Sequence, residues 1–310
     1  MKNETTTKDE KNFSWLHFLK YGFVIIIVIG GLFLYSHFIA THGLKIKEYK
    51  IVSSQITDTF HGLKIVHFSD IHYGITTTEK DLNNIQEKIN NLNPDIVVFT
   101  GDLFDQDIEI KEEDQEILTE FLKGINANIS KYAITGEDDY SIASYPIILE
   151  NGGFINLDEK YDMIYNKNYE SIFIAGLSTN LQGTKNAKDK LIPAIEYLNS
   201  FTEVADENGN ITSNNQKPTY TILIMHEPDD IDSIDYGKFD LVLAGHNHGG
   251  QIRLPLIGGL LLQDHASHYR NGHYTLNNTE FYISSGIGTT KIPFRLWNRP
   301  SINFYRLTNH

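Results

Sequence analysis

Six side chains in this sequence have the chemistry and spacing that hold divalent metal ions: Asp70, His72, Asp102, His226, His246 and His248. Asp70 and His72 form an Asp-Ile-His triplet, Asp102 follows Gly101, and His246 and His248 sit in Gly-His-Asn-His-Gly-Gly. A mixture of carboxylate and imidazole donors suits Mn, Fe, Zn or related ions, and the chain has no cysteine to build a soft thiolate site. Two such ions roughly 3.5–4 Å apart clamp a phosphoryl group and activate water, so the matching chemistry is hydrolysis of a phosphate ester. One carboxylate has to bridge the ions, and Asp102, short and directly after a glycine turn, is the candidate. In extended backbone, alternation sends Asp70 and His72 to one side, and His246 and His248 likewise.

These residues need elements to position them, and the sequence between them supplies short apolar runs. LKIVHFS (63–69), DIVVFT (95–100), KYAIT (131–135), TYTILIM (219–225) and FDLVLAG (239–245) read as buried strands, as do SIFIAGLS (171–178) and EFYISSG (280–286). Residues 79–92, with apolar positions at Leu82, Ile85, Ile89 and Leu92, and residues 113–125 have helical spacing. Strands alternating with helices imply α/β layers, and the sparser helices later in the chain imply a second, partly antiparallel sheet. The candidate residues then fall just past the C-terminal ends of five strands, where open α/β sheets place their sites. Residues 203–217 read as an exposed polar loop with an Asn-Gly turn.

Composition narrows the class. At 310 residues and 40% hydrophobic, the chain has ample apolar material for a core. Its net charge of −14 repels polyanions, so no nucleic-acid partner is expected; an acidic protein that handles phosphate needs local positive charge, which metal ions supply. Residues 21–40, an apolar run with one ionisable side chain, His37, are long enough to span a bilayer. Lys2, Lys8, Lys11 and Lys20 precede the run, and Trp15, Tyr21 and Tyr35 sit where interfacial aromatics belong. The resulting organisation is a disordered cytoplasmic tail (1–20), a transmembrane anchor (21–40), a tether or first edge strand (41–60) and a catalytic domain (61–310), on the extracytoplasmic side of a single-pass anchor. A cleaved signal peptide is the rival reading, against which stands the lack of an Ala-x-Ala type site after the run.

Taken in order, Asp70-x-His72, Gly101-Asp102, the Gly136 segment, His226 and Gly245-His246-Asn247-His248 resemble the motifs of the calcineurin-like metallophosphoesterase superfamily. KIVHFSDIHYG (64–74), MHEPD (225–229), AGHNHGGQIRLP (244–255) and SSGIGTTKIPFRLWNRP (284–300) are similar to its membrane-tethered bacterial phosphodiesterase branch. The resemblance covers roughly residues 45–310. It implies a two-sheet β-sandwich flanked by helices, four layers α/β/β/α, carrying two divalent ions and a hydroxide that attacks phosphorus. It assigns Asp70, His72, Asp102 and His248 to one ion. Asp102 bridges to the other, which also takes His226, His246 and an Asn.

The sequence departs from the family at that last ligand. Where the pattern has Gly-Asn-His-Asp/Glu, this chain has Gly136-Glu137-Asp138-Asp139. Glu137 still offers oxygen to the metal. Asp138 stands in for the histidine that assists the leaving group, with Asp139 beside it as a second candidate catalytic carboxylate; an ionised carboxylate is a poor acid at neutral pH. Two readings follow: an envelope or lipid-linked phosphodiesterase, or a degenerate member that binds metal or phosphate with little turnover. Arg253 and Arg295 are candidates for bidentate phosphate contact, and His268 for a further substrate contact. His67, inside the first strand, reads as a packed histidine.

Overall fold

The computed structural model describes residues 5–310 apart from 107, 167–168, 182, 184, 202, 206–210 and 214–216. Helix α1 (Thr5–Leu34) passes into a π-helical turn over Tyr35–Ile39. The helix thus begins well inside the stretch read as a disordered tail. Residues 5–20 contain neither glycine nor proline, and extending a helix from an apolar nucleus costs little. Within α1 and the turn, His17–Ile39 is long and apolar enough to cross a membrane.

Two six-stranded sheets make the body. The first contains β1 (Lys45–Val52), β2 (Lys64–Phe68), β3 (Ile96–Phe99), β4 (Ser130–Ala133), β5 (Ile155–Asn156) and β16 (Ser301–Thr308) in the order β1-β16-β2-β3-β4-β5. The second contains β6 (Tyr161–Tyr165), β7 (Ser171–Leu177), β10 (Tyr220–Met225), β11 (Leu241–Ala244), β14 (Gly272–Leu276) and β15 (Thr279–Ile283) in the order β14-β15-β11-β10-β7-β6. Strands β2 to β5 are parallel, as are β7, β10, β11 and β15; antiparallel pairs occur at β16–β2, β14–β15 and β6–β7. Strand β1 lies at the edge of its sheet, paired in parallel with the last strand of the chain. Hairpin β12–β13 (Arg253–Leu254 and Gly258–Gly259) and the pair β8–β9 (Glu203–Ala205 and Ile211–Ser213) stand apart. The polar stretch 203–217 therefore carries a short ladder; its Asn208-Gly209 turn lies outside the described residues.

Period-two alternation assigns the layers. Ile65, Ile96 and Val98 face inward to meet Ile222, Ile224, Leu241 and Leu243 of the second sheet. Val66, Phe68, Val97 and Phe99 face outward against α2 (Glu79–Asn91), α3 (Glu112–Lys123) and α4 (Tyr145–Asn151). On the far side, Leu223, Met225, Val242 and Ala244 pack under α5 (Ala187–Lys190) and α6 (Ile192–Asn199). Helix, sheet, sheet and helix make the expected four layers, with β2, β3, β4 and β5 of the first sheet all ending toward the same edge.

His67 occupies this interior as a neutral ring. Its Nε2 is 2.9 Å from Thr100 Oγ1, Nδ1 has no hydrogen-bond partner among the described residues, and burial pushes the imidazole down to about 3. The unfolded chain takes up this proton below a pH of about 6.5 while the native state does not, so His67 stabilises the fold above that pH. Its contribution is lost as pH falls toward 3, at up to about 1.4 kcal/mol per pH unit. Denaturant melts between pH 7 and 4 should therefore show a shallower acid loss for His67→Gln than for the native chain. Parallel curves would refute the burial argument.

Candidate metal centre

Five strand ends converge. Asp70 and His72 follow β2, Asp102 follows β3, residues 136–139 follow β4, His226 follows β10, and His246 and His248 follow β11. The chain turns sharply at five of the six candidate ligand positions rather than continuing extended. Asp70, His72, Asp102, His246 and His248 all have left-handed backbones, with φ of 52°, 43°, 60°, 66° and 46°. The alternation argument is thus corrected. The side chains within each Asp-x-His and His-x-His pair converge because the backbone coils at both members, while the residue between is drawn elsewhere. Ile71 goes into the helix-side core, and the Asn247 amide donates to the carbonyls of Ala266, Tyr269 and Arg270. Non-glycine residues in this region cost free energy, and such costs persist where the surroundings over-determine them.

The result is two groups of potential donor atoms, Asp70/His72/His248 and Asp102/His226/His246, with His72, Asp102 and Asp138 linking them. All but Asp138 are buried. Asp102 Oδ2 lies 3.2 Å from His226 Nε2 and 3.7 Å from His72 Nε2. His72 Nε2 and His248 Nε2 are 2.9 Å apart, and His248 Nε2 is 3.9 Å from Asp70 Oδ1. Asp70 is held by the His246 amide at 2.8 Å and by the Ser69 hydroxyl.

The ring orientations fit metal ligation. His226 Nδ1 donates to Thr100 O at 2.6 Å, leaving Nε2 facing the cluster with no hydrogen bond. His246 Nε2 donates to Asp264 O at 2.7 Å, leaving Nδ1 likewise. A sealed ring nitrogen left partnerless is costly unless something ligates it, and a backbone carbonyl on the opposite nitrogen is the usual support of a metal-bound histidine. The charges agree. Burial alone would raise Asp102, yet His226 and His72 hold its carboxyl well below the usual range. Against the opposing effect of burial, Asp138, Asp102 and Asp70 push the His72 imidazole up to about 9. The cluster's negative charge calls for cations, and divalent ions meet that demand while leaving the imidazoles neutral.

The other sequence candidates fare differently. Glu137 reaches the cluster, with Oε1 3.6 Å from His246 Nδ1, on its one-quarter exposed side. Asp138 Oδ2 lies 3.1 Å from His72 Nδ1, and its amide donates to Asp102 Oδ1 at 3.0 Å. Asp139 is turned away from any substrate: its oxygens accept from the amides of Asp102 and Leu103, each at 2.8 Å, and of Gly136 at 3.2 Å. It acts as a clamp between the Asp102 and Gly136 loops. Arg295 is fully buried, donating to Gly288 O, to Ser285 O at 2.9 Å and to His248 Nδ1 at 3.1 Å, so its guanidinium supports the ligand loop and cannot clamp phosphate. Arg253 is half-buried, with Nη1 on Gly249 O at 3.1 Å. His268 is exposed and pairs with Asp232 at 3.5 Å, outside the donor groups.

Two contributors went unread in the sequence. Asn247 ties the ligand loop to residues 266–270, and Lys47 of β1 donates to Ser285 Oγ at 2.6 Å. Burial, with Arg295 and Arg253 nearby, pushes the Lys47 ammonium down to about 8. Asn247 sat in plain view between two histidines; Lys47 had no signal, since it looked like one of several tether lysines.

The model of the calcineurin-like phosphoesterase family matches residues 63–250, which include all six candidate ligands. An uncharacterized metallophosphoesterase of Bacillus subtilis, YkuE, is 30% identical over 289 residues, covering 91% of each chain. A Danio rerio transmembrane protein with a metallophosphoesterase domain is 25% identical over 89% of this chain and 60% of its own. The UDP-2,3-diacylglucosamine pyrophosphatase LpxG of Chlamydia trachomatis is 29% identical over 63% of this chain and 66% of its own. With the family model spanning more than half the chain and a relative aligned almost end to end, this protein belongs to the calcineurin-like metallophosphoesterases and is a metal-dependent phosphoester hydrolase.

Proposed function

We propose that the chain is a dinuclear phosphodiesterase anchored in a membrane by α1, its catalytic domain outside the cytoplasm, acting on a lipid-linked or envelope phosphate ester. The observation that carries the dinuclear reading is a pair of sealed nitrogens without a hydrogen bond, His226 Nε2 facing Asp102 and His246 Nδ1 facing Glu137, linked through Asp102 and His72 to a second donor group. Asp70, His72, Asp102 and His248 would hold one ion; Asp102, His226, His246 and Glu137 the other. Such ions, whether Mn, Fe or Zn, supply positive charge to the phosphoryl oxygens and lower the pKa of water. The rest belongs to the chain. Asp138, 3.1 Å from His72 Nδ1, steadies that ring with Nε2 turned inward. No imidazole stands where the family places its leaving-group histidine, so esters with good leaving groups are favoured. The similarity to LpxG, a UDP-2,3-diacylglucosamine pyrophosphatase, adds weight to a substrate at the membrane.

The second reading, a binder with little turnover, draws on the same Glu137-Asp138 replacement. Detergent-solubilised full-length protein, given a bis-aryl phosphodiester with Mn or with chelator, separates the two. Chelator-sensitive turnover is expected from the native chain. The double variant Glu137→Asn, Asp138→His should gain roughly 10²-fold on esters with poor leaving groups, the lower end of general-acid assistance. Full metal occupancy without turnover in the native chain, but turnover in the double variant, would establish the binder instead.

A further inference from the structure

The anchor does not merely tether the domain; its end is built into the segment that supports the metal ligands. Ser36 Oγ donates to Arg295 O at 2.7 Å, and Arg295 N donates back to Ser36 O at 3.0 Å. His37 Nδ1 donates to Pro293 O at 2.8 Å, and the rings of Phe33 and Phe294 lie 4.6 Å apart. The same segment continues into the hairpin β12–β13: Leu296 N donates to Gln251 O at 3.2 Å and Arg253 N to Leu296 O at 2.9 Å. The hairpin grows directly out of the His246-Asn247-His248 loop. The chain then returns to Asp264, whose carbonyl holds His246.

The tip of this hairpin is apolar and uncovered. Leu254 to Ile257 form a turn closed by Ile257 N to Leu254 O at 3.3 Å, with Pro255 at its second position and Leu256 at its third, φ 69°. That third position favours glycine or asparagine. A leucine there, fully exposed, contributes neither to the turn nor to the core. Ile257, at 65% exposure, stands beside it, and Trp297, at 58%, lines the same hollow. Trp297 lies two residues past the Arg295 that grips the anchor. Exposed Lys45 and Lys291 flank the segment.

We propose that Leu256, Ile257 and Trp297 enter the headgroup–acyl boundary of the bilayer in which α1 is anchored, holding the metal centre against the lipid surface. The occupant is lipid because the patch is continuous, through residues 293–297, with the end of the anchor. Tryptophan and lysine beside aliphatic side chains are what that boundary accepts. The substrate class follows: a phosphate or pyrophosphate ester carried on a lipid headgroup, presented at the membrane surface. The proposal rests on the anchor reading of α1, and its test keeps the two apart.

The chain has two tryptophans, so Trp15→Phe leaves Trp297 as the sole tryptophan and Trp297→Phe leaves Trp15. Each full-length variant is reconstituted into phosphatidylglycerol–phosphatidylcholine vesicles containing lipids brominated near the headgroup end of their chains. Trp297 emission should be quenched, and the quenching lost in Trp15→Phe carrying Leu256→Asp and Ile257→Asp. Those two exposed substitutions should leave hydrolysis of the water-soluble bis-aryl diester unchanged, which establishes that the variant is folded. Quenching of Trp15 without quenching of Trp297 overturns the proposal and keeps the anchor. Quenching of neither overturns both. A Trp297 emission shift that follows protein concentration without bromolipid quenching assigns the patch to a second copy of the chain and likewise overturns the proposal.

Discussion

Asp102→Ala is expected to lower phosphodiester turnover by at least about 10³-fold, the scale on which loss of a charge-organising group in a buried site is felt. Asp102 belongs to one donor group and, with His72, to the group that links it to the other, lying 3.2 Å from His226 Nε2 and 3.7 Å from His72 Nε2. Alanine leaves these imidazoles with no anion between them, so the affinity for both ions falls, not for one alone. Metal analysis of the purified variant should therefore find less than one equivalent per chain, against the two expected of the native protein. The fold should survive. The Asp102 loop is pinned by its own amide to Asp139, at 2.8 Å, and that contact does not involve the deleted carboxylate. Native-like circular dichroism with absent turnover and absent metal is the expected set. Metal-dependent turnover within about tenfold of native would remove Asp102 from the bridging role.

Gly136→Ala should damage the same centre without replacing a ligand. A Cβ on Gly136 would lie 2.1 Å from Asp102 Oδ1 and 2.4 Å from Asp102 N, and the second of these atoms is backbone that cannot rotate away. Directly opposite, a Cβ on Gly101 would lie 2.5 Å from Gly136 N, so the two loops meet glycine to glycine. The only relief is to part them by about 1 Å, which strains the Asp139 clamp and shifts the bridging carboxylate. A displacement of that size costs roughly 10²-fold in rate, and overpacking of this kind costs about 1–3 kcal/mol in stability. Steady-state kinetics together with chemical melts check both effects. A variant with native kcat/KM would mean the loops can part freely and that the glycine pair has no part in positioning Asp102.

Much of the centre was legible in advance because each candidate ligand lies just beyond a short apolar run bounded by turn residues, a pattern consistent with a buried strand. β2, β3, β10 and β11 read as strands because both their faces are buried. β16 did not read as one. Ser301–Thr308 follows Pro300 and mixes polar with apolar residues, and its place between β1 and β2 depends on pairing with Lys45–Val52 across the whole chain. Loop-borne side chains were the least legible. Arg295 and Arg253 have the same side chain, yet one is sealed beneath His248 and the other half-buried at the hairpin. Asp138 and Asp139 are adjacent, yet one faces His72 and the other clamps amides.

By itself, the sequence indicated a candidate donor set and determined the family and the layering, because residue type decides which ions a site attracts and period-two burial decides which face a strand presents. It also determined that an apolar helix must find a non-aqueous environment. Tertiary structure alone decided which nitrogens of His226 and His246 are left without a hydrogen bond, that Asp70, His72, Asp102, His246 and His248 take left-handed backbones, and that the turn at the end of the apolar helix is hydrogen-bonded to the segment beneath the candidate ligands. The physical reason is that these outcomes are set by partners distant in sequence. Thr100 lies 126 residues from His226, and Ser36 lies 259 from Arg295. A side chain's chemistry is local, but the direction it faces is settled only when the chain has closed around it.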